Sequence, residues 1–288
     1  MLGLRRRFGF RLRIGKRTLT QGTNTAMRIA LGLEYHGAAY LGWQSQPGGR
    51  TVQDALEQAV QVIAGEPVRV VCAGRTDTGV HAHAQVVHFD TTAERPASAW
   101  VKGVNTHLPR DIAIQWAVPV ANAFHARFCA TSRRYDYWLL NRAVRPALGA
   151  DTMGWFHHPL DVERMRLAAA HLLGEHDFSA FRSSECQAKS PVRRLTRLDI
   201  RREGDVLQLR IQANAFLHHM VRNIVGSMVY VGCAKREPAW IAEVLASRAR
   251  ALAAPTFSPA GLYLSGVDYD AQWGLPDFGA RTLPGVAA

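Results

Sequence analysis

The chain has 288 residues, 48% of them hydrophobic, and carries 35 Lys and Arg against 23 Asp and Glu, a formal charge of +12. That length builds an ample core in one large domain or two smaller ones. No apolar run reaches the roughly 18 residues of a membrane-spanning helix, and the first residues lack the apolar stretch of a secretory signal. Cys72, Cys129, Cys186 and Cys233 are scattered without a Cys-x-x-Cys pair, which argues against a zinc knuckle or redox couple and fits free thiols in a cytoplasmic protein. The charge is uneven. Residues 1–26 hold seven bases and no acid; without them 28 bases face 23 acids, an excess of five. That stretch reads as a basic arm, an organellar targeting segment, or residues upstream of a true start at Met27. The remaining excess points to a polyanionic partner.

The first strand is expected at 29–35. Next comes a helix at 52–64, with Val52, Ala55, Leu56, Ala59, Val60 and Ile63 on one face, Thr51 and Asp54 as a near capping box and Gly65 as its stop. Strands follow at 68–72 and 85–90, a helix at 97–105 and a strand at 112–118. The order is β-α-β-β-α-β. It returns in the second half: a strand at 135–141, a helix capped by Asp161 and running to Leu173, a hairpin of 195–201 with 206–213 about Glu203-Gly204-Asp205, helices at 217–231 and 240–248, and a final strand at 263–269. The fold class is therefore α+β: two ferredoxin-like modules with antiparallel sheets, residues 27–130 and 131–271, separated near residues 129–132 and followed by a loose tail at 272–288.

The most informative segment is Ala73-Gly74-Arg75-Thr76-Asp77-Thr78-Gly79-Val80-His81-Ala82. It places a carboxylate, Asp77, two residues from a cation between glycines, on a loop between two strands. A guanidinium nearby stabilises an ionised carboxylate, and such a group on a scaffolded loop is a candidate nucleophile or base. An Asx-turn, with Asp77 bonding the backbone near Gly79, explains the same residues structurally.

Further segments join this one in a series: Tyr35-His36-Gly37 with Tyr40-Leu41-Gly42-Trp43-Gln44, Thr51-Val52-Gln53, Gly103-Val104-Asn105, Leu108-Pro109, Phe124-His125-Ala126-Arg127, Arg133-Arg134-Tyr135-Asp136-Tyr137, Asn214-Ala215-Phe216, His218-His219-Met220-Val221-Arg222-Asn223 and Gly261-Leu262-Tyr263-Leu264. From about residue 28 to 269 the chain resembles the tRNA pseudouridine synthase A family. One departure is His36, where the family often has Asp. The resemblance implies two modules flanking a catalytic cleft, an isomerase that needs no cofactor and no metal, and a homodimer acting on tRNA at positions 38, 39 and 40 of the anticodon stem-loop. It implies Asp77 as the catalytic residue and a substrate-binding set around it. Arg75 would hold Asp77 ionised, Tyr135 would pack on the uracil, Arg222 would pair with Asp77, Leu262 would line the base pocket, and His81 would support the loop or touch RNA.

By spacing alone Tyr135 reads first as a strand-end core tyrosine with a bonded hydroxyl. His81, His83 and His88 lack a carboxylate or cysteine that completes a ligand set. Arg133, Arg134, Lys189, Arg193, Arg194, Arg197, Arg201 and Arg202 form a basic group that reads either as a phosphate-binding surface or as a solvated strand face. A non-catalytic RNA-binding protein of two RRM-like modules shares the element order, but neither third strand carries the aromatic pattern used for base stacking.

Overall fold

A computed structural model describes residues 26–279; the expectation for residues 1–25 lies outside them. Among the described residues the architecture is mixed α+β, with five α-helices and ten strands in one large, mostly antiparallel sheet. In the first half β1 (Met27–Tyr35) pairs with β3 (His81–Thr91) and β4 (Ile112–Val120), and β2 (Val71–Cys72) with β3, giving the order β4-β1-β3-β2. In the second half β10 (Leu262–Tyr269) pairs with β5 (Ala130–Asn141), β5 with β9 (Val206–Ala213), and β9 with β8 (Val192–Glu203), giving β10-β5-β9-β8. The two sets are not separate sheets. Tyr263 and Leu264 of β10 run parallel to His81 and Ala82 of β3, which fuses the halves edge to edge. Two short strands extend the second half: β6 (Gly154–Phe156), parallel to β5, and β7 (Gly174–Asp177), beside β8.

Helix α1 (Val52–Ala64) has the expected bounds. Thr51 Oγ1 accepts from the Asp54 N–H at 3.2 Å and donates to its carboxylate at 2.5 Å, a cap that stabilises by about 1 kcal/mol. Leu56 and Val60 are fully buried in the main core with Leu31, Leu33, Val87 and Phe89. The helix near residue 100 begins as a π-type turn over Ala99–Gly103 and continues as α2 (Val104–His107). In the second half α3 (Val162–Ala170), capped by Asp161, packs on α4 (Met220–Gly232), which is apolar nearly all round and lies within the core. The short α5 (Trp240–Ser247) follows. Among the described residues no helix is long and apolar enough to cross a membrane.

Residues 272–279 do not form a loose tail. Trp273, Leu275 and Phe278 pack on a second apolar cluster with Ala30, Val86 and Phe124. Trp273 meets the ring of Phe124 at 5.4 Å and Phe278 that of Trp116 at 5.4 Å. Aromatic burial outweighs the Gly and Pro content that suggested irregular chain.

Candidate active site

The loop of residues 73–80 leaves β2 and enters β3, and its backbone is pinned from several sides. Thr76 O accepts from the Trp43 N–H at 3.0 Å, Gly74 O from the Gln85 amide at 2.7 Å, and Ala73 O from the Arg133 guanidinium at 3.1 Å. Tyr35 Oη and Thr76 Oγ1 bond at 2.8 Å in the core. Two glycines permit this closeness. A Cβ on Gly37 would lie 1.9 Å from Val80 O; one on Gly42, where φ is +87°, would lie 2.8 Å from Thr76 O. A rigid loop of this kind fixes the side chain at its tip. The Asx-turn bond does not carry it: the turn is closed by Val80 N–H to the backbone oxygen of Asp77 at 3.1 Å, which leaves the carboxylate free to face the other half.

There it meets the start of α4. Arg222 Nη1 donates to Asp77 Oδ2 at 3.1 Å across 145 residues of sequence, while its Nε donates to Phe257 O at 2.9 Å. Two anchors on one planar fork leave the guanidinium a single pose. His218 Nε2 lies 3.4 Å from Oδ1 and His219 Nε2 3.4 Å from Oδ2. His219 has a left-handed backbone, φ +62°, as the residue before α4, and the helix therefore begins at Met220 rather than at 217. Burial lowers the pKa of His219 from its ordinary value, against the pull of the Asp77 charge. The Asp77 side chain is 20% exposed and that of Arg222 14%, so the ion pair is poorly solvated yet reachable.

Arg75 does not make the expected ion pair. Its side chain is exposed, and among the described residues the groups facing Asp77 are Arg222, His218 and His219. Tyr135 is buried on β5 in register with Leu264 and meets Phe216 edge to face at 5.0 Å. Burial, reinforced by the charge of Asp77, raises its pKa and keeps the phenol protonated. Leu262 is 4% exposed at the start of β10. His81 is wholly buried, and burial takes it down to about 4. Its Nδ1 accepts from the Gly37 N–H at 3.0 Å, and its Nε2 faces Ala260 O at 3.1 Å. The neutral ring therefore bridges the two halves and supports the loop.

The basic group is also thinner than its sequence suggests. Arg133 is buried and donates to the carbonyls of Ala73, Arg127, Ala130 and Asn214. Arg134 pairs with Asp268, Arg197 with Asp199, and Arg202 binds Asn141 and Leu160. Lys189, Arg194 and Arg201 remain exposed. Sequence reasoning assigned no role to His218 and His219, although both stand in the quoted run; only the fold brings them to Asp77.

A carboxylate held by a guanidinium at the junction of two half-sheets is suited to nucleophilic or acid–base chemistry in an α+β enzyme. The family model described as tRNA pseudouridine synthase matches residues 33–129 and 168–270. The tRNA pseudouridine synthase A of Dechloromonas aromatica (strain RCB) is 58% identical over 260 residues, covering 90% of this chain and 99% of that protein. The protein of the same name from Methylobacillus flagellatus is 56% identical over 261 residues, 91% and 100% of the two chains, and that of Methylibium petroleiphilum 59% over 251, 87% and 96%. The chain belongs to the tRNA pseudouridine synthase family and is an isomerase.

Proposed function

We propose that the chain converts uridine to pseudouridine at positions 38, 39 and 40 of the tRNA anticodon stem-loop, with Asp77 as the nucleophile or base. The reaction breaks the bond from ribose C1′ to uracil N1 and makes one from C1′ to C5. The C5 proton leaves carbon and N1 gains one, so nothing is consumed. The observation that carries this reading is the contact of Asp77 with Arg222 at 3.1 Å, which holds an anionic group at the junction of the two halves. The target base must leave its stack to reach it. Tyr135 and Leu262 supply apolar surface for that base, and the protonated Tyr135 acts as a phenol rather than a phenolate. Arg75 extends into solvent, where it suits a contact with RNA, while His81 positions the loop. Lys189, Arg194 and Arg201 suit phosphate contacts.

The repeated order β4-β1-β3-β2 and β10-β5-β9-β8 supports two ferredoxin-like modules, residues 27–130 and 131–271, with the cleft where they join. A homodimer that holds one tRNA between its subunits, working in the cytoplasm, belongs to the same proposal. The test is to incubate the purified chain with unmodified tRNA transcripts and map pseudouridine at nucleotide resolution. Product confined to positions 38 to 40 supports the reading; product elsewhere in the tRNA, or none, overturns it.

A further inference from the structure

Asp77 is faced by two imidazoles to which the proposed reaction gives no role. His218 Nε2 and His219 Nε2 each lie 3.4 Å from a different carboxylate oxygen, and one ligand atom from each of the three residues falls within 4.8 Å of the others. Two imidazoles and a carboxylate are the donor set of borderline-soft divalent ions. The distances fit. Zinc bonds of about 2.0–2.1 Å in a tetrahedron place neighbouring ligand atoms roughly 3.4 Å apart; each imidazole lies that far from its own carboxylate oxygen, so an ion held by one oxygen keeps one of these separations and draws the other imidazole in. The widest pair would close by at most about 1.4 Å. The rings are 36% and 26% exposed and open to the junction, so small rotations suffice.

We propose that Asp77, His218 and His219 bind one borderline-soft divalent cation, Zn2+ or Cu2+ in class, as an inhibitor and not as a cofactor. The ion takes the carboxylate lone pairs that the reaction uses; that consequence rests on the catalytic reading of Asp77, whereas binding itself does not. Arg222, 3.1 Å from Oδ2, repels a second cation and keeps affinity below that of structural zinc sites. Magnesium, which prefers oxygen ligands in an octahedron and keeps its waters, does not compete.

The test is a titration of the metal-free full chain with Zn2+ in millimolar Mg2+, followed by calorimetry and by competition with a chromophoric chelator. The expected result is one ion per chain, with affinity at least tenfold weaker in Asp77→Asn and in the double variant His218→Gln, His219→Gln; His218→Gln alone serves if the double variant does not fold. Equal affinity in those variants, or no binding at millimolar Zn2+, overturns the site. A second arm measures tRNA modification. Inhibition with a midpoint matching the binding constant and reversed by EDTA is expected, and full activity in the ion-loaded chain overturns the inhibitory role. An inactive chain that still binds Zn2+ through these residues would count against the catalytic reading alone.

Discussion

Mild acid should weaken the seam between the two halves through His81. Its Nδ1 accepts a backbone N–H and its buried ring stacks on Tyr263 at 4.6 Å. Protonation would turn that acceptor into a donor facing the Gly37 N–H, in a buried place and beside the ring of His36. The folded chain holds His81 at about 4, against about 6.5 when unfolded. Between those values the unfolded state binds the extra proton, so stability rises with pH there. It is complete above about 6.5, falls as pH drops below that, and reaches its floor below about 4. At 1.36 kcal/mol per pH unit the loss is roughly 3 kcal/mol. His88, also held at about 4 by burial and by the Arg28 charge, adds a similar loss. Together they approach the 5–15 kcal/mol that stabilises an ordinary domain, roughly speaking. Urea midpoints from pH 7.5 to 4 should be compared for the wild type and His81→Gln, whose amide can accept and donate without titrating. The wild type should lose roughly 3 kcal/mol more than the variant across that range. Parallel curves would refute the account of His81 as a neutral bridge.

Two predictions concern single contacts. Arg222→Met removes a charged donor from both Asp77 and Phe257, so it should cost about 2–3 kcal/mol, lower the melting temperature by about 5–10 °C and reduce turnover further than the stability loss explains; unchanged melting would contradict the pairing. Trp273→Ala removes a half-buried ring from the second cluster and should cost about 1–2 kcal/mol, whereas a loose tail would show no change in melting.

Elements set by local chemistry were legible in the sequence, and those set by distant partners were not. Helix α1 has its expected bounds because Thr51, Gly65 and an apolar stripe specify it locally. The strand expected at 68–72 shrinks to Val71–Cys72 because side chains of α1 take the backbone of Val70: its N–H donates to Glu57 at 3.0 Å. β6 and β7 are three and four residues long, too short to show a period of two. The pairing of β10 with β3 joins residues far apart in sequence and carries no local mark. At the site, Asp77 and its pairing with Arg222 followed from the motif series. The two histidines escaped notice because residue spacing cannot show which side chains a fold brings together. His81 and Arg133 stand in matched motifs, yet burial commits both to holding backbone.

The central claim is that Asp77 does the chemistry, and Asp77→Asn tests it most directly. Asn keeps the size of the side chain and can still accept from Arg222, but it offers no anion. Turnover on unmodified tRNA, tRNA affinity and melting temperature should be measured together. The account predicts turnover down by about three orders of magnitude or more, with affinity nearly unchanged because most RNA contacts go to the backbone. Pseudouridine formed by Asp77→Asn at a rate near that of the wild type would contradict it.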